Sequence, residues 1–314
     1  MIPYNPWVIV GLPPLGSDTT RVDSVNLVRS RDGRLWVPIR GTTTSELGFA
    51  VFDGASVSAL PVTTADVYAA APGSSGIVVA LSDAGPTRFR IARITEAEVT
   101  ELGSPPMGAI ALAESPAGVT YAWSQASAAD TPAVWRRGPG GWAPLAEQPT
   151  VGATEVVVAI TTSGETVLAG WASRTIAEIY RLESDETWSL IGRTASDLNL
   201  KIAAGDAGAA FASVFSGYFV RGMYVASPLF GSTPDVSSMS LTFDATPPTV
   251  LAALDTVGNE WAAVDGWGVV TSPAAGVAYS YPFPTADYSA AFAVLGTRPF
   301  LIRGLTLFAA NRIR

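Results

Sequence analysis

The chain has 314 residues, enough for one large domain or two small ones. Hydrophobic residues make up 48% of the sequence and charged residues only 15%, a composition that excludes an intrinsically disordered chain. No run of about 20 apolar residues occurs, so we expect no membrane insertion. The apolar residues instead form short runs between 30 glycines and 23 prolines, which is typical of short buried strands.

The ionisable side chains are few and mostly acidic. The chain has 19 basic and 27 acidic residues, a formal net charge of −8, and no cluster of basic residues that would release counterions from a nucleic acid. Because the sequence has no cysteine and no histidine, it excludes disulfides, zinc sites built from thiolate or imidazole, and Cys–His or Ser–His–Asp catalysis.

A repeat of about 40–45 residues runs along the chain, the length of a four-stranded propeller blade. Each unit starts with an apolar strand, then a tight turn rich in glycine or aspartate, then a second apolar strand. The pattern predicts an all-β fold, a seven-bladed β-propeller of four-stranded blades, with residues 1–314 in a single domain; the alternative is a two-domain β-sandwich. The blades are expected at about residues 25–62, 67–103, 109–147, 155–192, 200–243, 249–283 and 289–314.

The last unit is one strand short, because it has only three strand-like runs before the sequence stops. The segment 6–12, PWVIVGL, is strand-like and precedes the first full unit. We therefore expect the N-terminal strand to close the last blade, which would remove an open edge from the ring.

One stretch of the first unit resembles a known repeat. The segments RDGRLWVPIRG (31–41) and GFAVFDG (48–54) are similar to the repeat of bacterial regulator-type propellers, in which an Asp-Gly turn leads into a Leu-Trp strand. The resemblance covers one blade only and implies a propeller fold without a specific activity.

Acidic residues recur just before the first strands of several units. The segments TADVY (64–68) and TADYS (285–289) are the clearest pair, each with an aromatic residue shortly after the aspartate. In a propeller these acids would surround the axis and could hold a cation such as Ca²⁺ through oxygen ligands. The alternative is that each acid caps its own turn by accepting backbone N–H bonds. The acids in question are Asp23, Asp66, Asp197, Asp287 and Glu155.

Aromatic and polar residues near the same end of the predicted blades are candidate ligand or partner sites. Exposed tryptophans could stack on sugars or anchor a partner protein, although a period-2 apolar pattern favours core packing for Trp123 and Trp171. The polar loops between second and third strands could bind glycans or could be ordinary solvated connections. The candidates are Trp267, Asp265, Arg174, Trp171, Trp123, Asp83 and Glu46.

The low charge content favours a protein that neighbours cover in a larger assembly. We therefore expect a non-catalytic binding or structural module with protein partners, such as a component of a bacteriophage virion or tail, made in the cytoplasm without a signal peptide. A free carbohydrate-binding lectin and a glycan hydrolase are the alternatives. A hydrolase would need two carboxylates about 5–10 Å apart across a pocket, and no spacing in the sequence singles out such a pair.

Overall fold

The computed structural model describes most of the chain. The described residues are 7–23, 27–63, 65–82, 89–105, 109–124, 133–145, 155–160, 167–172, 176–195, 201–205, 208–215, 219–226, 236–242, 250–254, 260–264, 268–272, 279–281, 290–295, 298–303 and 305–310. All regular elements in this part of the chain are β-strands.

The described strands form seven antiparallel sheets, which we number in chain order. Sheet 1 contains β2 (Thr20–Val22), β3 (Val28–Arg29), β4 (Leu35–Gly41), β5 (Leu47–Phe52) and β6 (Val57–Thr63), and sheet 2 contains β7 (Asp66–Pro72), β8 (Ile77–Ser82), β9 (Phe89–Ile94) and β10 (Val99–Gly103). Sheet 3 contains β11 (Ala109–Glu114), β12 (Thr120–Ser124), β13 (Ala133–Gly138) and β14 (Gly141–Pro144), and sheet 4 contains β15 (Glu155–Ile160), β16 (Val167–Ala172), β17 (Ile176–Leu182) and β18 (Trp188–Ala195). Sheet 5 contains β19 (Lys201–Gly205), β20 (Gly208–Phe215), β21 (Phe219–Ala226) and β22 (Val236–Thr242), and sheet 6 contains β23 (Val250–Leu254), β24 (Glu260–Val264), β25 (Gly268–Ser272) and β26 (Tyr279–Tyr281). Sheet 7 contains β27 (Ala290–Leu295), β28 (Arg298–Arg303), β29 (Thr306–Ala310) and β1 (Trp7–Ile9).

The first strands of consecutive sheets lie side by side. Strand β7 contacts β3 and β11, and contacts continue in order through β15, β19, β23 and β27, which contacts β3 again. The sheets therefore follow one another around a closed path, with the first strand of each sheet innermost. The predicted number of seven blades stays a prediction, because the connections between sheets are described only in part.

Strand β1 completes the last sheet, as the sequence predicted. Trp7, Val8 and Ile9 pair antiparallel with Ala310, Ala309 and Phe308, so the two ends of the described chain share sheet 7. The following segment continues into sheet 1, where Leu15 is buried in a core shared by both sheets; the other members include Phe52 from β5 and Phe300 from β28. Hydrophobic packing thus joins the first and last sheets.

The first strand of sheet 1 is divided into β2 and β3, and β2 lies before residue 25, where the sequence predicted that the first blade begins. Strand β2 pairs with the end of β4 and β3 pairs with its start, so both strands lie along β4. Pro38 lies between these two stretches and has no N–H to donate to the ladder. Its carbonyl still accepts a bond from the Asp23 N–H at 2.9 Å, which holds the chain at the point where it leaves the sheet.

The turn that resembles the regulator-type repeat is a structural turn. The Trp36 indole, 1% exposed, donates to the Ser30 hydroxyl at 3.1 Å and packs edge-on against Phe49. The Ser30 hydroxyl in turn contacts the Asp32 carboxylate, and Gly33 adopts a positive φ of 84° that the tight turn requires. The residues that carry the resemblance therefore stabilise the fold of sheet 1.

No membrane-crossing helix was found among the residues for which the structure gives a conformation.

Candidate functional site

Each sheet has two ends, and the candidate site lies at one of them. We call the end that carries the loop between the second and third strands the return end; in sheet 1 this loop is 42–46, between β4 and β5. The opposite end carries the turn between the first and second strands, and we call it the turn end. Asp23 and Asp66 both lie at the return end, close to the end of β4.

An arginine that the sequence analysis did not select joins these two acids. The Arg40 guanidinium donates to both carboxylate oxygens of Asp23, and its Nη2 lies 2.7 Å from Oδ1 of Asp66. Arg40 also donates to the carbonyls of Ser45 (2.9 Å) and Ala65 (3.1 Å). The hydrogen bond to Asp23 is the main cause that raises the pKa of Arg40 above its ordinary value. We call Asp23, Arg40 and Asp66 the Arg40 cluster.

The described hydrogen bonds of the Asp23 and Asp66 carboxylates come from Arg40, which places a positive charge between these two acids. The cation site and the turn caps proposed for the acidic ring both stay predictions. In the described part of the chain, no group of three or more acidic side chains is arranged to hold a metal ion.

An exposed aromatic side chain lies beside the Arg40 cluster. Tyr68 falls at a β-bulge of β7: Val67 pairs with Leu81 and Ala69 with Ala80, which leaves Tyr68 without a paired residue. Its side chain is 48% exposed, whereas Val67 and Ala69 are buried. The Phe89 ring from β9 meets the Tyr68 ring edge-on, with 4.7 Å between centroids. Bulges often redirect a side chain next to a functional site.

The loop 42–46, which contains the predicted residue Glu46, is held by hydrogen bonds to the Asp18 side chain. The Asp18 carboxylate accepts bonds from the N–H groups of Thr43 and Thr44 at 3.0 and 2.9 Å, and also from the hydroxyls of Thr42 and Thr44. The backbone bonds from Thr44 and Thr43 hold the pKa of Asp18 far below its usual range. Glu46 is half-buried, and its carbonyl closes the loop by accepting from Gly41 N–H at 2.9 Å.

Trp123 is buried, so a surface role for this residue is wrong. Its side chain is 4% exposed and packs in a core between sheets 3 and 4 with Tyr121, Val167 and Ala169. This agrees with the alternation that favoured core packing. Trp171 lies in β16 opposite Val156 and Glu178, and no more is described of it than this register.

Seven predicted site residues remain, and the structure describes one of them. Glu155 starts β15 opposite Ala172, which fits a position at the return end of sheet 4. Six others lie outside the described residues, and their roles stay predictions: Asp83, Arg174, Asp197, Asp265, Trp267 and Asp287.

The sequence carried a weak signal for Tyr68 and little for Arg40. Tyr68 is the aromatic residue that follows the aspartate in TADVY, so the repeated segment already pointed to it. Arg40 lies 17 and 26 positions from the acids it contacts, and they are brought together by the register of sheet 1 and by the packing of sheet 2 against it.

We expect Arg40→Gln to destabilise the fold by about 1.5–3 kcal/mol, because the Asp23 charge loses its charged donor. Asp23 is mostly shielded from water, with its side chain 11% exposed. Adding Asp23→Asn should restore most of the loss, as urea unfolding of the single and double variants would measure. As a control, Arg90→Gln should cost no more than about 1 kcal/mol, since its partner Glu101 is half exposed. Equal losses of stability in the two arginine variants would contradict the proposed contribution of the Arg40 cluster to the free energy of unfolding.

Comparisons with known proteins relate this chain to solved structures only. No protein-family model and no curated protein sequence matches it. YCF48 from Cyanidioschyzon merolae superposes with a TM-score of 0.59 at 14% identity, over 97% of this chain and 98% of that one. The Dos1 propeller gives a TM-score of 0.54 at 10% identity, over 98% and 96% of the two chains.

A third similar structure is longer than this chain. PorZ, a bacterial surface component of the type-IX secretion system of Porphyromonas gingivalis, superposes with a TM-score of 0.59 at 12% identity. The match covers 95% of this chain but only 48% of PorZ. At such identities the likeness concerns the fold alone. Together with the antiparallel sheets described above, it shows that the chain has a β-propeller fold.

Proposed function

We propose that this propeller is a non-catalytic module that binds other proteins within a larger multiprotein assembly. The observation that carries the proposal is the return end of sheets 1 and 2. Two carboxylates there are tied to Arg40, and Tyr68 stands exposed next to them. Exposed tyrosines contribute much of the binding energy in protein interfaces, because they bury a large ring and keep a polar tip.

Charge supports the same proposal. The Asp23 carboxylate accepts two bonds from the Arg40 guanidinium, so both of its oxygens are already engaged within the protein. The chain as a whole has only 15% charged residues, which suits a surface that neighbours cover. The assembly that we propose is a bacteriophage virion or tail, which the chain would join after synthesis in the cytoplasm.

A lectin is the second candidate, because an exposed ring such as Tyr68 can also stack on a sugar. The carboxylate Asp66 beside it is a group that could accept hydrogen bonds from hydroxyls. Under this alternative the chain would act as a free monomer that binds glycans.

Site-directed photo-cross-linking tests the proposed function. A photoreactive phenylalanine would be placed at position 68 of the full chain, and at exposed Leu190 of sheet 4 as the control. In extracts of the source organism we expect the chain to elute far above the size of a monomer, and position 68 to give a defined adduct that position 190 does not give. A chain that elutes as a monomer and gives no adduct would contradict the proposal, and polysaccharide turnover by the purified chain would contradict its non-catalytic part.

A further inference from the structure

We propose that Tyr68 and Asp66 form a recognition site for a cationic side chain, most suitably an arginine, on a basic segment of a partner protein. This inference rests on the proposed function and names the chemistry of the partner. It starts from the position of the two side chains on β7. Asp66 and Tyr68 both lie on the exposed side of the strand, while Val67 between them is buried. The partner would meet a carboxylate and a phenol ring side by side.

The ring is held in place before any partner arrives. Phe89 packs against Tyr68 with the two ring planes at 74° and their centroids 4.7 Å apart, and Tyr68 lies at the bulge of β7. A ring that is already oriented loses little conformational freedom on binding, so more of the contact energy appears as affinity. The π face of a tyrosine attracts guanidinium and ammonium groups.

The charges favour a cation over a neutral sugar. Arg40 and Asp23 pair closely and both side chains are 11% exposed, so their charges largely cancel away from solvent. Asp66 is different: its side chain is 75% exposed although one oxygen contacts Arg40. Two aspartates and one arginine leave the cluster with a formal charge of −1, on a chain whose net charge is −8. A basic segment complements this surface, whereas a neutral glycan would not use its charge.

A matched pair of peptides tests the inference directly. One acetylated, amidated peptide carries four arginines spaced by glycines, and the other carries citrulline at the same positions, which keeps the planar head group and removes its charge. Binding to the full chain would be measured by fluorescence anisotropy at low and at physiological salt. We expect the arginine peptide to bind at least about tenfold more tightly than the citrulline peptide, with affinity that falls as salt rises.

Three variants separate a specific site from general attraction to an acidic protein. Tyr68→Ala leaves the net charge unchanged and should weaken binding of the arginine peptide about two- to fivefold through the lost cation–π contact. Asp66→Asn should weaken it by about the same factor through the lost ion pair. Glu96→Gln, which removes an exposed acid that pairs with Arg34 at the turn end, should leave the affinity unchanged.

The outcomes are distinct from those of the cross-linking experiment. Equal binding by wild type and Tyr68→Ala would overturn the inference, even if the chain were found in a large assembly. Binding of a neutral oligosaccharide that Tyr68→Ala abolishes, without binding of the arginine peptide, would also overturn it in favour of a sugar site. A monomeric chain whose binding of the arginine peptide depends on Tyr68 would support the recognition site and contradict the proposed assembly.

Discussion

Replacing Glu114 by glutamine is expected to lower the free energy of unfolding by about 3–5 kcal/mol, because it leaves the Arg93 charge without its buried partner. The Glu114 side chain is fully buried at the turn end of sheet 3 and receives two bonds from Arg93, at 2.9 and 2.8 Å. The backbone N–H of Ser74 (2.6 Å) and the hydroxyl of Thr120 (2.8 Å) also donate to the Glu114 carboxylate. Urea unfolding of the full chain would measure the loss.

Two further variants show whether the loss comes from burial of the pair. Replacing both residues, as Glu114→Gln with Arg93→Met, should recover most of the stability because no unpaired charge remains. Glu96→Gln breaks an Arg–Glu pair in which both side chains are well exposed, and should cost no more than about 1 kcal/mol. A double variant as unstable as Glu114→Gln would show that the interaction is not the source of the effect.

Low pH should reduce the stability that the Glu114 carboxylate provides. Burial raises the pKa of Glu114, but the hydrogen bonds from Arg93, Ser74 and Thr120 outweigh burial and hold the pKa below its ordinary value of 4.5. A lowered pKa in the folded state means that this stabilisation is fully present above pH 4.5 and is lost as the pH falls through the folded value. We expect the stability of Glu114→Gln to fall less steeply with acid than that of wild type in this window.

Gly76→Ala is expected to cost about 2–5 kcal/mol, from a strained backbone and a collision together. Gly76 lies in the turn between β7 and β8 with φ of 65°, a conformation that costs alanine energy. A Cβ at this position would lie 2.1 Å from the carbonyl oxygen of Ile94, which belongs to the backbone of β9 and can move only if the sheet moves. Thermal or urea unfolding would report the loss.

Gly33 provides a matched control for Gly76. It occupies the corresponding turn of sheet 1 with φ of 84°, but nothing lies within 4 Å of the Cβ that alanine would add. Gly33→Ala should therefore show only the cost of the left-handed backbone, about 1–2 kcal/mol. If the two variants were equally destabilised, the contact with the Ile94 carbonyl would make no measurable contribution to the loss of stability.

Much of the fold could be predicted from the sequence because the strand signals are local. Apolar runs bounded by glycine and aspartate placed the start of the third blade at 109, where β11 begins, and the missing strand of the last sheet at 6–12, where β1 lies. The start of sheet 1 was the exception. Pro38 of the neighbouring strand β4 lies between the stretches that pair with β2 and with β3, so the local pattern of the first blade could not show the division.

The candidate site was less predictable because it depends on contacts between sheets. The sequence placed Asp23 and Asp66 at one end of the ring but could not show that Arg40 lies between them. Tyr68 follows the alternation of β7, in which Asp66 and Tyr68 are exposed while Val67 and Ala69 are buried, but its contact with Phe89 of β9 depends on the register of the strands. Trp123 was predictable in part, since its alternation with Tyr121 favoured the core in which it lies.

Because β1 pairs with β29, β1 remains without its partner strand until the ribosome has made residues 306–310. Trp7 is made early, and its partner Ala310 follows about 300 positions later, which takes roughly 15–60 s at ribosomal rates of 5–20 residues per second. For that interval β29 does not exist, and β1 offers unpaired N–H and C=O groups to any other strand, including those of neighbouring nascent chains. Exposed Ile9 adds an apolar side chain to that edge. The last sheet therefore cannot be completed until β29 has been made, and in crowded polysomes the unpaired edge of β1 is where misassembly would begin.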